Sequence, residues 1–386
     1  MSSNTGLKDL FLAFLRLGMT AFGGPVMVAY IRQIAVNRRQ WLDESEFRNG
    51  VALCQSLPGA TAMQVAAYVG LRSNGITGAL ASYVGFGLPA FIIMLVLSVL
   101  YTNYKSLPTA VSLFNGLQVI VVAVIVNAVY SFSRGMIKST MNIAFALASA
   151  ALFWIGISPF IVIIIAAVAG IVFVQGTAPA ASEKMDESKT KKAYGRQVLI
   201  LFLLLIACLA VLYFTDDRLF DLTTIMMQID LFAFGGGFAS VPLMLQKIVN
   251  VKAWMGYRTF MDGIALGQIT PGPIVITATF VGYLRDGLSG ALIATLAVFT
   301  PSFLILICVV PFFDRVKSTR YFARVTDGIL ASFLGLILYV AVRFSIAVSW
   351  DALKLLLGIA ALAALIRKVD IFYVVAIGSI FSLFFF

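Results

Sequence analysis

The sequence predicts an all-α polytopic membrane protein of two inverted-topology repeats, with short broken or re-entrant helices near the bilayer midplane. Three observations predict it. The chain is 61% hydrophobic and 12% charged, with a mean hydropathy of +1.00. A soluble core needs far less apolar side chain, so the solvent is lipid. Glycine and proline clusters recur inside apolar segments. Phe22-Gly23-Gly24-Pro25 returns as Phe234-Gly235-Gly236-Gly237 after 212 residues, and Gln55-Ser56-Leu57-Pro58-Gly59-Ala60 returns as Gln268-Ile269-Thr270-Pro271-Gly272-Pro273 after 213. Trp41, Phe47, Gly70, Gly75, Gly78 and Pro89 match Trp254, Phe260, Gly282, Gly287, Gly290 and Pro301. Finally, basic loops of the two halves fall at non-equivalent places.

Each half opens with four short apolar segments. In the first half they run from Leu7 to Phe22, Pro25 to Val36, Ser45 to Leu57 and Gly59 to Leu71. At about 1.5 Å per residue they reach only ~18 to 24 Å, short of the ~30 Å hydrocarbon layer. Paired half-helices meeting at the glycine breaks are expected, with strongly tilted short spans as the alternative. Four longer helices follow, near Ile76 to Asn103, Pro108 to Phe132, Thr140 to Ile157 and Pro159 to Val174. The second half repeats this order from Asp221 to Phe386. The expected boundaries are 1–175 for the first repeat, 176–196 for a polar linker, 197–216 for a connecting transmembrane helix and 217–386 for the second repeat. The linker carries Lys184, Lys189, Lys191, Lys192 and Arg196 against Glu183, Asp186 and Glu187, as a flexible cytoplasmic connection would. The helix after it has no counterpart in the first half and turns the second repeat over.

Charge sets the orientation. The loop around Arg134 and Lys138 is basic, whereas its equivalent around Ser349-Trp350-Asp351 is not. Conversely, Arg315, Lys317, Arg320 and Arg324 make a basic loop where the first half offers only Lys105. Inverted topology predicts this under the positive-inside rule. It puts the N-terminus and linker in the cytoplasm and the C-terminus outside. Arg285 then lies outside, against the rule.

Several functions are excluded. The net charge of +11 belongs to loops, because no basic amphipathic domain exists to hold nucleic acid. Met1 to Lys8 is polar and leads directly into a helix, so no cleavable signal peptide is expected. Cys54, Cys208 and Cys308 lack metal-ligand spacing and the chain has no histidine; no metal, haem or other cofactor is expected. A Gly-x-x-x-x-Gly-Lys-Ser/Thr phosphate loop is absent, so ATP hydrolysis is unsupported. An embedded enzyme would need a clustered base, nucleophile or metal set, which these residues do not offer.

The helix breaks carry the chemistry. Glycine and proline within membrane helices leave backbone groups that only protein or a water-filled cavity can satisfy. Pro25 after Gly23-Gly24, and Pro273 after Pro271-Gly272, read as new helices starting in the membrane. Helix starts present free N–H groups and the positive dipole end. Up to four of them, from Gly23, Gly24, Pro25, Pro58, Gly59, Gly235, Gly236, Gly237, Pro271, Gly272 and Pro273, are expected to surround a small oxyanion. Close helix packing by small residues is the alternative. Gln55 and Gln268 precede the prolines and supply uncharged donors, with Thr61, Thr270 and Thr277 adding hydroxyls or interhelical bonds. Arg16 and Asp230 lie on the corresponding first helices but are not equivalents: Arg16 aligns with Gln228, and Asp230 with Gly18. One half therefore offers a cation for substrate and the other a carboxylate for proton coupling, or the two form a structural pair. Asp262, aligned with Asn49, is the second coupling candidate; Asp327 adjoins a basic loop. Lys247, Arg32 and Arg48 lie near segment ends and can snorkel.

The FGGP and FGGG breaks, the tryptophan after each, and Gln-x-x-Pro-Gly-(Pro) in both halves resemble the chromate transporter family in its long, two-domain form. The resemblance covers Leu7 to Phe91 and Asp221 to Phe303 most clearly. It implies a bacterial or archaeal inner-membrane protein that exports chromate, a sulfate analogue, using the proton gradient or anion exchange. The FGG and Gln-Pro-Gly positions would be its functional residues. The chain departs at Ala60, where the family pattern has proline, which suggests tighter binding by the second half. Secondary active transport of a tetrahedral dianion is thus expected, with a passive oxyanion channel or sulfate importer as the alternative. The expected partners are the oxyanion and the lipid bilayer, with a second copy of the chain left open.

Overall fold

In a computed structural model, the described residues are 6–21, 24–137, 140–173, 191–312 and 320–386. Gly23, Lys138, Arg315, Lys317 and most of the polar linker therefore lie outside the described residues. The first half contains α1 (Leu7–Thr20), α2 (Gly24–Arg32), α3 (Glu44–Ser56), α4 (Thr61–Tyr104), α5 (Pro108–Met136), α6 (Thr140–Trp154) and α7 (Pro159–Phe173). After α8 (Lys191–Thr215) the second half follows with α9 (Asp217–Phe232), α10 (Gly237–Met244), α11 (Tyr257–Ile269), α12 (Thr277–Val309), α13 (Arg320–Ala347), α14 (Ala352–Ile366) and α15 (Ile371–Phe385). No strand occurs among the described residues. Among the described residues five helical stretches are long and apolar enough to cross a bilayer, so this is a multi-pass membrane protein.

The repeat extends into irregular backbone. Both α2 and α10 run into a π-helix, Gln33–Arg38 and Leu245–Val251. The helices α4 and α12 each break at equivalent pairs, Asn74–Gly75 and Asp286–Gly287. Each folds back on itself there. Gly70 and Gly78 lie too close to admit a Cβ, as do Gly282 and Gly290; Ser82 Oγ donates to the Ala66 carbonyl at 2.7 Å, and the Thr279 and Thr295 hydroxyls meet at 2.7 Å. These glycines serve close helix packing, as small residues do in membranes. The arm from Thr61 to Ser73 is only about 20 Å long at ~1.5 Å per residue, too short to span. Arg285, the basic residue expected outside, is held at the second fold-back by Asp221 at 3.5 Å and Asp286 at 3.2 Å. The matching tip of the first half has an Arg72–Glu46 ion pair.

The chain forms two compact units, each drawn from both halves. Unit 1 comprises Met1–Ile93, Ala178–Gly237 and Pro271–Thr319. Unit 2 comprises Met94–Thr177, Phe238–Thr270 and Arg320–Phe386. In unit 2, α5 is buried from Gly116 to Ile125 and packs through small residues: Gly116 N–H donates to Ser382 Oγ at 3.0 Å. The single helix α8 begins at Lys191, inside the polar stretch, because Lys, Ala and Gln are good helix formers. Within its span 195–215 the most apolar 18 residues have a mean hydropathy of 3.0 and none is buried, as expected of a lipid-facing helix.

Candidate functional site

Two Pro-Gly corners are buried in unit 1, and each is pinned by the opposite half. The Gly59 N–H donates to the Ala233 carbonyl at 2.9 Å, and the Gly272 N–H donates to the Ala21 carbonyl at 2.9 Å. Ala21 and Ala233 are equivalent residues, each ending the first helix of its repeat just before the Phe-Gly-Gly break. Gly59 and Gly272 have φ of +110° and +114°, a left-handed conformation that other residues adopt only at a cost. A proline before each glycine ends the preceding helix, so the corner is written locally; its partner is not.

The breaks converge. A Cβ on Gly236 would lie 3.3 Å from Thr61 Oγ1, at the start of α4. One on Gly237 would lie 3.3 Å from the side chains of Ile274 and Val275, in the 3-10 turn that opens the second-half hairpin. Three chain starts from both repeats thus meet at the Phe-Gly-Gly-Gly break. The amides of Gly235, Gly236 and Ala60 find no acceptor among the described residues. Ala60 and Gly236 are buried. Unpaired buried N–H groups are costly unless something negative meets them. Gly24 and Pro25 open α2 as the fourth start.

The side chains divide unevenly. Asp230, 1% exposed, accepts the Ser302 N–H on Oδ2 at 2.7 Å. Pro301 interrupts the hydrogen-bond ladder of α12, and the carboxylate takes the amide of the next residue. The other oxygen, Oδ1, has no donor and lies 3.1 Å from where a Gly59 Cβ would stand. In unit 2, Asp262 is also buried but fully paired: Tyr101 Oη donates to Oδ2 at 2.9 Å, and Gln118 Nε2 to Oδ1 at 2.7 Å. Gln268 is 8% exposed and its Nε2 has no acceptor, whereas its equivalent Gln55 is exposed. Thr270 and Thr277 are buried and donate to the Leu266 and Ile274 carbonyls, both at 2.8 Å. Arg16 is exposed on α1 and forms no pair with Asp230. Arg32 forms a surface ion pair with Glu44 at 2.9 Å.

Pro273 precedes a 3-10 turn rather than an α-helix. The Pro-Gly-Ala corner starts α4 directly at Thr61. The departure at Ala60 therefore leaves the first corner with an unspent amide where Pro273 has none.

Gln64, Ser302, Tyr83, Tyr101 and Gln118 are buried participants that sequence reasoning missed. Gln64 Nε2 donates to the Pro58 carbonyl at 2.6 Å and holds the first corner. Tyr83 Oη donates to the Phe299 carbonyl at 2.8 Å, beside Ser302. For the two glutamines, a lone amide in an apolar run was the available signal.

The comparisons with known proteins follow the same division. A family described as "Chromate transporter" matches residues 8–171 and again 220–383. An uncharacterized transporter of Methanocaldococcus jannaschii is 44% identical over 378 residues, 98% of this chain and 94% of the relative. A probable chromate transport protein of Synechococcus elongatus is 29% identical over 333 residues, 86% and 82% of the two chains. A chromate transport protein of Cupriavidus metallidurans is 30% identical over 334 residues, 86% and 80%. No solved structure matches. Matched once in each half, over the stretches that carry the paired helix breaks, the chain belongs to the chromate transporter family.

Proposed function

We propose that the chain is a secondary active transporter that exports chromate, or a tetrahedral oxyanion like it, by alternating access. The observation that carries this reading is the exchange of hydrogen bonds between Gly59 and Ala233 and between Gly272 and Ala21. Each half completes the other's helix break, so each corner is tied to the first helix of the opposite repeat. Buried amides at Ala60 and Gly236, with Gly235 beside them, supply uncharged donors to a dianion. The relatives named for chromate transport support the choice of anion.

Residue roles follow from what each group lacks. Gln268, a buried donor without an acceptor, is assigned to the substrate, the free amides of Gly235, Gly236 and Ala60 to the anion cradle, and Pro58-Gly59 and Pro271-Gly272-Pro273, whose glycine amides are spent on Ala233 and Ala21, to the corners that shape it. Gly23, Gly24, Pro25, Gln55 and Thr270 are assigned with them by the repeat. Arg16, exposed on α1, is assigned the weaker task of attracting the dianion. Of the two coupling candidates we assign proton exchange to Asp230, because Asp262 already has a donor on each oxygen. We orient the N-terminus and central linker toward the cytoplasm, on the loop charges.

The test is chromate flux in proteoliposomes and inverted vesicles, with sulfate, molybdate and phosphate as competitors, with and without a proton gradient. Gradient-driven accumulation inhibited by sulfate supports the proposal. Flux that never concentrates chromate makes the protein a passive channel, and preferential loss with phosphate changes the substrate class.

A further inference from the structure

At the rim of unit 2, where α6 and α13 end and α7 and α11 begin, lies a cation that the anion cradle does not use. Arg343 is half-buried, one turn before the end of α13. Its guanidinium carbon lies 5.4 Å from the Trp154 ring and 5.4 Å from the Tyr339 ring. Nε donates to Tyr339 Oη at 3.1 Å, and the Tyr257 phenol is within electrostatic reach. Among the described residues no carboxylate comes within ion-pair distance of it. On the same rim, Lys247 Nζ lies 4.7 Å from the Phe160 ring.

The surroundings are apolar and open. Ile346 is 67% exposed, Trp154 54% and Ile155 72%, surface that meets lipid in a bilayer. Helix ends ringed by Trp and Tyr mark the headgroup level. A charged side chain facing lipid without a counter-ion is costly. Guanidinium, unlike ammonium, presents a flat fork matched to phosphate oxygens, and the rings hold that fork at the edge.

We infer that Arg343, on its Trp154–Tyr339 ledge, binds the phosphate of an anionic phospholipid headgroup. The acyl chains lie along Val342 and Ile346, and the guanidinium, without a carboxylate partner among the described residues, favours an anionic over a zwitterionic lipid.

The test uses the purified full-length protein in detergent, with phosphatidylglycerol, phosphatidylcholine or inorganic phosphate added. Binding is read by native mass spectrometry and by the shift of the thermal unfolding midpoint. Phosphatidylglycerol is expected to bind and stabilise most strongly. Arg343→Gln should weaken its apparent affinity about tenfold, and Arg343→Lys should lose part of it because ammonium cannot fork. Trp154→Leu, which keeps the charge but removes one ledge, should also weaken binding and carries the test where Arg343→Gln fails to fold. Phosphatidylglycerol affinity unchanged in these variants overturns the inference. Protection by phosphatidylcholine equal to that by phosphatidylglycerol does so too. Protection by inorganic phosphate matching the lipid's makes this a free-anion site instead.

Discussion

At Gly59 an added Cβ would overlap Ser302 Cβ and come within 3.1 Å of the Asp230 carboxylate, whereas at the equivalent Gly272 the nearest atom is Ala90 Cβ at 2.9 Å. Ser302 and Ala90 are themselves equivalent, as are Asp230 and Gly18. Gly18 admits no side chain because the Phe86 carbonyl and Pro89 press on it. One corner is therefore a bare packing joint, and the other holds a carboxylate beside the proline of α12. A duplicated scaffold keeps its backbone geometry while its halves take different chemistry. Here the Gly59 and Gly272 amide donors are shared, whereas the buried, half-satisfied acid at Asp230 has no counterpart in the first half.

The comparison breaks most readily at the corners themselves. Gly59→Ala combines a left-handed conformation with overlap and should destabilise the protein by about 3 kcal/mol and abolish chromate uptake. Gly272→Ala should cost about 2 kcal/mol, because Ala90 Cβ leaves more room. Thermal unfolding and vesicle uptake read both, and Ser302→Gly should partly rescue Gly59→Ala. Equal costs at the two sites, without rescue, would remove the asymmetry.

The proposed proton coupling distinguishes the two acids. Asp230→Asn should still exchange chromate between equal pools yet lose its response to an imposed pH gradient, while Asp262→Asn should keep that response and lose stability. Reversed outcomes would move proton exchange to unit 2. A smaller effect is expected at the glutamines. Gln268→Leu should raise the apparent chromate constant about tenfold, the worth of one hydrogen bond to a charged group, and Gln55→Leu should leave it nearly unchanged. A matched rise at Gln55 would mean the exposed amide is recruited during transport. Least of all, Arg16→Gln should change the constant by about twofold, and only at low ionic strength, as befits an exposed charge.

Much of the architecture was legible from residues 7 to 100 and their repeats. Gly75 and Gly287 mark the fold-backs, Pro58 and Pro271 the corners, and Trp41 and Trp254 keep the register. Local sterics write such features, so a sequence displays them. The glycines could not be sorted by inspection. Gly70, Gly78, Gly282 and Gly290 face backbone across a hairpin, whereas Gly59 and Gly272 turn the chain. Asp230 and Asp262 looked alike as acids in apolar runs. Their difference lies in Ser302, Tyr101 and Gln118, which are 72, 161 and 144 residues away from their carboxylates.

By itself the sequence determined a lipid-dissolved, duplicated helical chain and the sites where its helices must stop, because hydropathy, proline and glycine act within a turn or two of themselves. Only the tertiary structure decided that each corner is closed by the other half's broken helix, that Gln64 rather than Gln55 braces the first one, and that Asp230 keeps an oxygen without a donor. The partners at the two corners and at Asp230 arrive from well beyond a turn or two of helix, 72 residues away in the case of Ser302, and hydrogen-bond partners at such separations are chosen by packing.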